Sequence, residues 1–301
     1  MSPEHPLQAI QATVTATFSR RMRIRLPDGT AVNSRIKGKQ LKAVCGDRVM
    51  VESLANESDW LITSICERDN ELRRPNLRGA VEVLAANIDL LLVVAAATPQ
   101  ADWFIVDRYL CAAESMAARG VVIFNKIDLA DADSNFGDYA SIGYGTVRCS
   151  AASGENVAQI SALVGQQTAI IVGQSGVGKS SIINALLAGS SLRTAEISGK
   201  TSEGRHTTVN SEMLELPGGG FIIDSPGVRD YAPALQAVAD VVHGFREIAD
   251  AGQSCRFANC RHLREPGCAV KGAVSSSTIS PRRYESYRRL LALTERLDRQ
   301  L

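Results

Sequence analysis

Gly173-Gln174-Ser175-Gly176-Val177-Gly178-Lys179-Ser180 joins an apolar run, Thr168-Ala169-Ile170-Ile171-Val172, to a helix-like one, Ser181-Ile182-Ile183-Asn184-Ala185-Leu186-Leu187. No other feature constrains the fold of the chain as tightly. The octapeptide fits G-x-x-x-x-G-K-[ST], in which glycines let backbone N–H groups wrap phosphates, the lysine reaches the β and γ oxygens, and the hydroxyl binds magnesium. A strand that turns through such a loop into a helix sets the helix N-terminus against the anion. Residues 173–181 are therefore candidate phosphate-binding positions, with Lys179 as a catalytic candidate, Ser180 as a magnesium ligand and Ser181 at the helix start.

A second set of motifs names the base. Asn125-Lys126-Ile127-Asp128 follows the apolar run Val121-Val122-Ile123-Phe124, and Ser150-Ala151 follows at the spacing of one more strand and loop. An aspartate at that place can accept from guanine N1–H and the 2-amino group, a donor pair that adenine lacks. Asn125 would tie its loop to the phosphate loop, and Lys126 would pack along the base. A site built around such bonds rejects an analogue that leaves its polar groups unpaired.

Two further motifs follow the phosphate loop: Gly204-Arg205-His206-Thr207-Thr208 and Asp224-Ser225-Pro226-Gly227, the latter after Phe221-Ile222-Ile223. Asp224 would hold magnesium through water, and the Gly227 amide would sense the γ-phosphate. Of the two threonines, Thr208 is preferred as a magnesium ligand. Val228 stands where signalling GTPases carry a glutamine that orients the attacking water. His206 is the local substitute, either as a catalytic group or as an exposed switch residue that meets a partner. The motif set is complete but rotated, since the guanine loops precede the phosphate loop. This order reads as a circular permutation, which domains tolerate because their termini lie on the surface and near each other.

Charge divides the chain in three. Residues 1–79 carry 13 Lys/Arg against 9 Asp/Glu, residues 80–252 carry 10 against 19, and residues 253–301 carry 10 against 4. Basic flanks around an acidic centre point to a polyanionic partner for the flanks. Short strand-like runs at Val14–Phe18, Met22–Leu26, Ala31-Val32, Arg48–Val51 and Trp60–Ile65, divided by Pro27-Asp28-Gly29 and Cys45-Gly46-Asp47 turns, predict a small all-β barrel. An oligonucleotide-binding barrel and an SH3-like one both fit that pattern. Between Arg20 and Lys42 lie eight basic residues and one acid, Asp28; they form either an RNA-facing patch or a solvated charged face. Glu71 to Asn76 reads as a linker, with Pro75 discouraging a helix.

Seven cysteines, three of them clustered late, suit a reducing compartment and metal use better than a disulfide framework. Cys255, Cys260, His262 and Cys268 supply the three thiols and one imidazole of a closed tetrahedral zinc site; buried or redox cysteines beside an incidental histidine are the alternative. Ser280-Pro281 opens a terminal helix over 282–299 with six arginines, facing either solvent or RNA. The N-terminus shows no basic-then-apolar signal pattern, and the apolar run Leu90–Ala97 is too short for a bilayer, so a cytoplasmic location is expected.

The motif order, together with Glu265-Pro266-Gly267-Cys268-Ala269-Val270 closing the cysteine segment, resembles the small-ribosomal-subunit-dependent GTPase A family over nearly the whole chain. The resemblance implies three domains: an oligonucleotide-binding barrel over 1–71, a circularly permuted P-loop α/β GTPase domain over 72–232, and a helical zinc-binding domain over 233–301. It also implies a monomeric, cytoplasmic hydrolase that converts GTP to GDP with Mg2+ and carries about one Zn2+ per chain. Such an enzyme binds rRNA, is stimulated by the small ribosomal subunit and acts late in its maturation, with no membrane partner. An RNA-binding module gated by nucleotide, or a permuted GTPase serving another ribosomal particle, stand as the other readings.

Overall fold

Period-two alternation builds the first third of the chain. In β1 (Ile10–Phe18) Ala12, Val14 and Ala16 are buried while their neighbours are partly open, and Met22 and Ile24 of β2 (Met22–Arg25) repeat the pattern. With β3 (Ala31–Ile36), β4 (Arg48–Ser53) and β5 (Trp60–Ile65) these strands close in the order β1-β2-β3-β5-β4 and back to β1. All these pairings are antiparallel except β3 with β5. The result is the five-stranded barrel expected from the sequence, filled by Ala12, Val14, Ile24, Val49, Val51 and Ile62. At its first turn the Asp28 carboxylate accepts from the Thr30 amide (2.9 Å). The computed structural model describes residues 9–18, 21–38, 41–54, 59–75, 81–130, 134–188, 209–225 and 237–298.

The segment expected to be a linker is a strand. β6 (Glu71–Pro75) pairs antiparallel with β7 (Val81–Ala86), and Leu72 is buried in the core of the following α/β unit. Pro75 falls on the last residue of β6, where a missing N–H costs little, so the proline excluded a helix but not a strand.

β8 (Leu90–Ala96) is buried at all seven positions, the continuous apolar run of a parallel strand covered on both faces. It pairs in parallel with β9 (Arg119–Asn125) and with β11 (Thr168–Gly173); β10 (Gly145–Arg148) extends one side and β13 (Phe221–Asp224) the other. β12 (Val209–Glu215) joins β13 antiparallel. Side chains split by parity. Leu91, Val93, Val122, Phe124, Ile170 and Val172 face α1 (Trp103–Ser115) and α2 (Ser134–Ser141). Leu90, Leu92, Ile123, Ala169 and Ile171 face α3 (Val157–Val164) and α4 (Lys179–Ala188).

Barrel and α/β unit share one sheet. The second half of β1 pairs antiparallel with β12, placing Ala16 opposite Glu212 and Thr17 opposite Ser211, so eleven strands run without a break. Charges zip the seam: Arg25 meets Glu215 at 2.9 Å and Arg23 meets Glu212 at 3.7 Å, while the Arg25 guanidinium lies over the Phe221 ring. A second attachment inserts buried Cys45 into the α/β core, where it forms a bridge to Ala85.

The last part is helical: α5 (Val238–His243), α6 (Arg246–Gly252), α7 (Ala269–Ser275) and α8 (Pro281–Asp298). Phe245, Ile248, Tyr287, Leu290 and Leu291 pack on Cys111 and Ala112 of α1. Beneath them Asp107 of α1 accepts from Arg282 (2.7 Å), Arg283 (2.8 Å) and the Tyr139 hydroxyl (2.6 Å), and Arg283 also forks onto both oxygens of Glu247. Two of the five arginines of α8 therefore serve to hold it to the α/β unit. Among the described residues no helix is long and apolar enough to cross a membrane.

Candidate nucleotide site and metal centre

The guanine motif, the Ser-Ala motif and the phosphate loop converge on one carboxamide. Asn125 ends β9, Ser150-Ala151 follow β10, and Gly173 ends β11, so all three loops leave the carboxyl edge of the parallel sheet, where α/β folds place ligands. Asn125 is 1% exposed. Its Nδ2 donates to the Val177 carbonyl (2.9 Å), and its Oδ1 accepts from the Ala151 amide (3.0 Å). One side chain thus fixes the distance between two loops that are 52 and 26 residues from it in sequence.

Close approach explains the glycines. Gly178 has φ +95°, and a Cβ there would lie 2.3 Å from Asn125 Nδ2; Gly173 has φ +135°, and its Cβ would lie 2.2 Å from the Val94 carbonyl oxygen. Either side chain would push the phosphate loop off the sheet. Lys179, the first residue of α4, is buried and donates to the carbonyls of Gly173 (2.6 Å) and Gln174 (2.7 Å), which holds its ammonium inside the curve of the loop. Ser180 and Ser181 are exposed at the start of α4. Asp224 ends β13, the strand beside β11, so a hydroxyl and a carboxylate leave neighbouring elements on the same edge. That oxygen donor set fits a hard divalent cation such as Mg2+.

Lys126 bridges the base side to the phosphate side. Its ammonium donates to the carbonyls of Thr98 (2.6 Å) and Gly176 (2.7 Å), while Ile127 is half-buried and Asp128 is exposed beyond it. Thr98 belongs to a stretch without a sequence motif. The loop after β8 contributes its carbonyl, sets Pro99 against Gly176, and lets the Asp102 amide donate to the Gln174 side chain (3.3 Å). Backbone carbonyls carry no residue signature, so the sequence holds no sign of these bonds. His206, Thr207, Thr208, Gly227 and Val228 lie outside the described residues.

The late cysteines and His262 come together. Their ligand atoms lie within 4.8 Å of one another. Cys255 Sγ and Cys268 Sγ are 3.8 Å apart, and each is 3.5 Å from His262 Nδ1. A tetrahedron with zinc–sulfur bonds of about 2.3 Å and a zinc–nitrogen bond of about 2.0 Å has edges of roughly 3.8 Å and 3.5 Å, so the residues fit that ion. Burial lowers the His262 pKa against the pull of Glu265, which favours the neutral imidazole that a metal needs. Glu265 organises the loop: its oxygens accept from the amides of Arg261, Leu263 and Arg264 at 2.8 to 2.9 Å. Burial would raise its pKa, but these N–H groups win and bring it down to about 2.

Residues 65–233 match the family model of the RsgA GTPase. The chain belongs to the RsgA GTPase family. A relative from Marinobacter nauticus, described as small ribosomal subunit biogenesis GTPase RsgA, is 41% identical over 256 residues, covering 82% of this chain and 73% of its own length. A Pseudomonas aeruginosa relative of the same description is 35% identical over 291 residues, covering 95% of this chain and 86% of its own. Among solved structures, YjeQ from Thermotoga maritima superposes with a TM-score of 0.73 at 25% identity, covering 95% of this chain and 99% of that one. YloQ, described as a circularly permuted GTPase, shares the fold with a TM-score of 0.73 at 22% identity, covering 98% of each chain. For this member of the RsgA family the rotated motif order is thus the order of the fold.

Proposed function

We propose that this RsgA-family GTPase hydrolyses GTP to GDP and phosphate in the late maturation of the small ribosomal subunit, binds that particle's rRNA and is stimulated by it. The two relatives described as small ribosomal subunit biogenesis GTPases support the particle. The observation that carries the nucleotide reading is the Asn125 carboxamide, which ties the guanine loop, the Ser150-Ala151 loop and the phosphate loop together. In this reading Asp128 selects guanine, Lys126 lies along the base, and the phosphate loop and helix start over residues 173–181, with Lys179, hold the phosphates. Magnesium, held by Ser180 and Thr208 with Asp224 through water, would neutralise charge on the phosphates. Gly227 senses the γ-phosphate and His206 serves the attacking water. Zinc on Cys255, Cys260, His262 and Cys268 would staple a helical region too small for a large core of its own.

The reading divides the chain into an rRNA-binding barrel over 1–71, a permuted GTPase unit over 72–232 and a zinc-binding helical unit over 233–301, acting as a cytoplasmic monomer. It is tested by measuring GTP turnover alone, with purified small subunits and with large subunits. Stimulation by the small subunit, lost in Lys179→Ala, is the expected result. Stimulation by the large subunit would assign the chain to another particle, and nucleotide-dependent rRNA binding without turnover would make it a gated RNA-binding module.

A further inference from the structure

The ladder between β12 and β13 ends at the edge of the site. Its last pair is Glu212 with Asp224, so Ser225, the next residue on the β13 side, has no rung in that ladder. A side-chain bond takes over there: Ser211 Oγ donates to Ser225 Oγ at 2.8 Å, and the two residues are 5% and 3% exposed. Neither serine fills volume that alanine would leave empty, because the two side chains differ by one oxygen. What the bond supplies is position. It fixes Ser225, the link from Asp224 to Pro226-Gly227, at the carboxyl end of β13.

The other partner is equally placed. Ser211 lies three residues after Thr208 in sequence, and its backbone stands opposite Thr17 of the barrel strand β1. A single buried hydroxyl pair therefore joins the strand that leaves one switch motif to the first residue beyond the ladder in the other. Buried hydroxyls this deep are costly when unpaired, so the pair holds one arrangement rather than several.

We propose that Ser211 is a positioning residue for the triphosphate: through Ser225 it fixes the carboxyl end of β13 and with it Asp224, and so sets how well GTP is bound relative to GDP. The proposal rests on the guanine-nucleotide reading of the site. It is tested by equilibrium titration of the full chain with fluorescent GDP and with a non-hydrolysable fluorescent GTP analogue. Ser211→Ala is expected to weaken the GTP analogue about 5- to 10-fold, the size of one net hydrogen bond, with GDP affinity held within about 2-fold. Ser225→Ala should give the same selective loss, the double variant should lose no more than either single one, and Ser211→Thr should restore the ratio.

A merely structural pair would lower the melting temperature and leave the GTP-to-GDP ratio where it was, or weaken both nucleotides alike; either outcome overturns the proposal. If Ser211→Ala does not fold, Ser225→Ala carries the same test from the other side of the bond. Wild-type chain that binds neither nucleotide would remove the GTPase reading and this inference together. Wild-type binding with an unchanged ratio in both alanine variants would remove this inference alone.

Discussion

Asp128 stands exposed at the end of a motif whose asparagine and lysine are both held by carbonyls of the phosphate loop. Anchoring of that kind leaves the carboxylate as the group free to choose the base. Asp128→Asn should therefore move preference from GTP toward xanthosine triphosphate, because the amide can donate to the added carbonyl, as read by competition binding. Glu265 makes a different prediction. Its folded pKa of about 2 lies below the ordinary 4.5, so the stabilisation it provides is complete above about pH 4.5 and fades as pH falls toward 2. Glu265→Gln should lower the melting temperature at pH 7, and the gap to wild type should narrow below about pH 4. At this scale the sequence is most informative where function uses a side chain. Asn125, Lys179 and the cysteine cluster are legible in it, whereas Thr98 is not, because its contribution is a carbonyl oxygen.

At the scale of elements, β9, β11 and β13 are legible from the apolar runs before their motifs, β10 only from the spacing of Ser150-Ala151, and α4 from the loop before it. β6 is not, because a proline in a short polar segment looks like punctuation, and only its partner β7 shows that it is paired. The attachment of α8 to α1 is hidden for another reason. Arg282 and Arg283 look like the rest of a basic helix, yet Arg283 is 1% exposed, and Asp107, 0% exposed, lies more than 170 residues away. Asp107→Asn removes one charge and leaves two guanidinium groups facing a neutral amide. A loss of about 3 to 5 kcal/mol is expected from breaking such a buried pair, measurable by denaturant unfolding. Replacing the whole set by apolar residues should cost far less, which separates specificity of docking from net stability.

For the whole molecule the seam changes what a deletion means. Every nucleotide motif lies at or beyond Asn125, so the sequence alone suggests that removing residues 1–71 would spare hydrolysis. The fold argues otherwise. That deletion strips β1 from β12, leaves Glu212 and Glu215 without Arg23 and Arg25, and takes Cys45 from the α/β core. The truncated chain should aggregate or melt at lower temperature, as read by size-exclusion chromatography and calorimetry, because an uncovered strand invites pairing with other chains.

The same pairings narrow the basic patch. Arg23 and Arg25 face the seam, and Arg35 is bonded to Asp59 at 3.0 Å, leaving Arg21, Lys37 and Lys42 as the better phosphate-binding cations among the described residues. Replacing those three should flatten the salt dependence of subunit binding by about 0.7 to 0.9 in log–log slope for each phosphate that is no longer neutralised. Charge density along the sequence marks the basic region; which of its cations are already neutralised depends on acids far along the chain.

The shared sheet also bears on how the chain is made. β1 leaves the ribosome first, but its partner β12 follows nearly two hundred residues later, after the guanine loops and the phosphate loop. At synthesis rates of about 5 to 20 residues per second the second half of β1 waits roughly ten to forty seconds for its neighbour. During that interval the barrel can close on itself through β2 and β4, whereas the α/β sheet cannot be completed until β12 and β13 emerge. Completion of the phosphate site is thereby deferred until β13 has emerged, so a nascent chain carries a finished barrel long before it carries a complete α/β sheet.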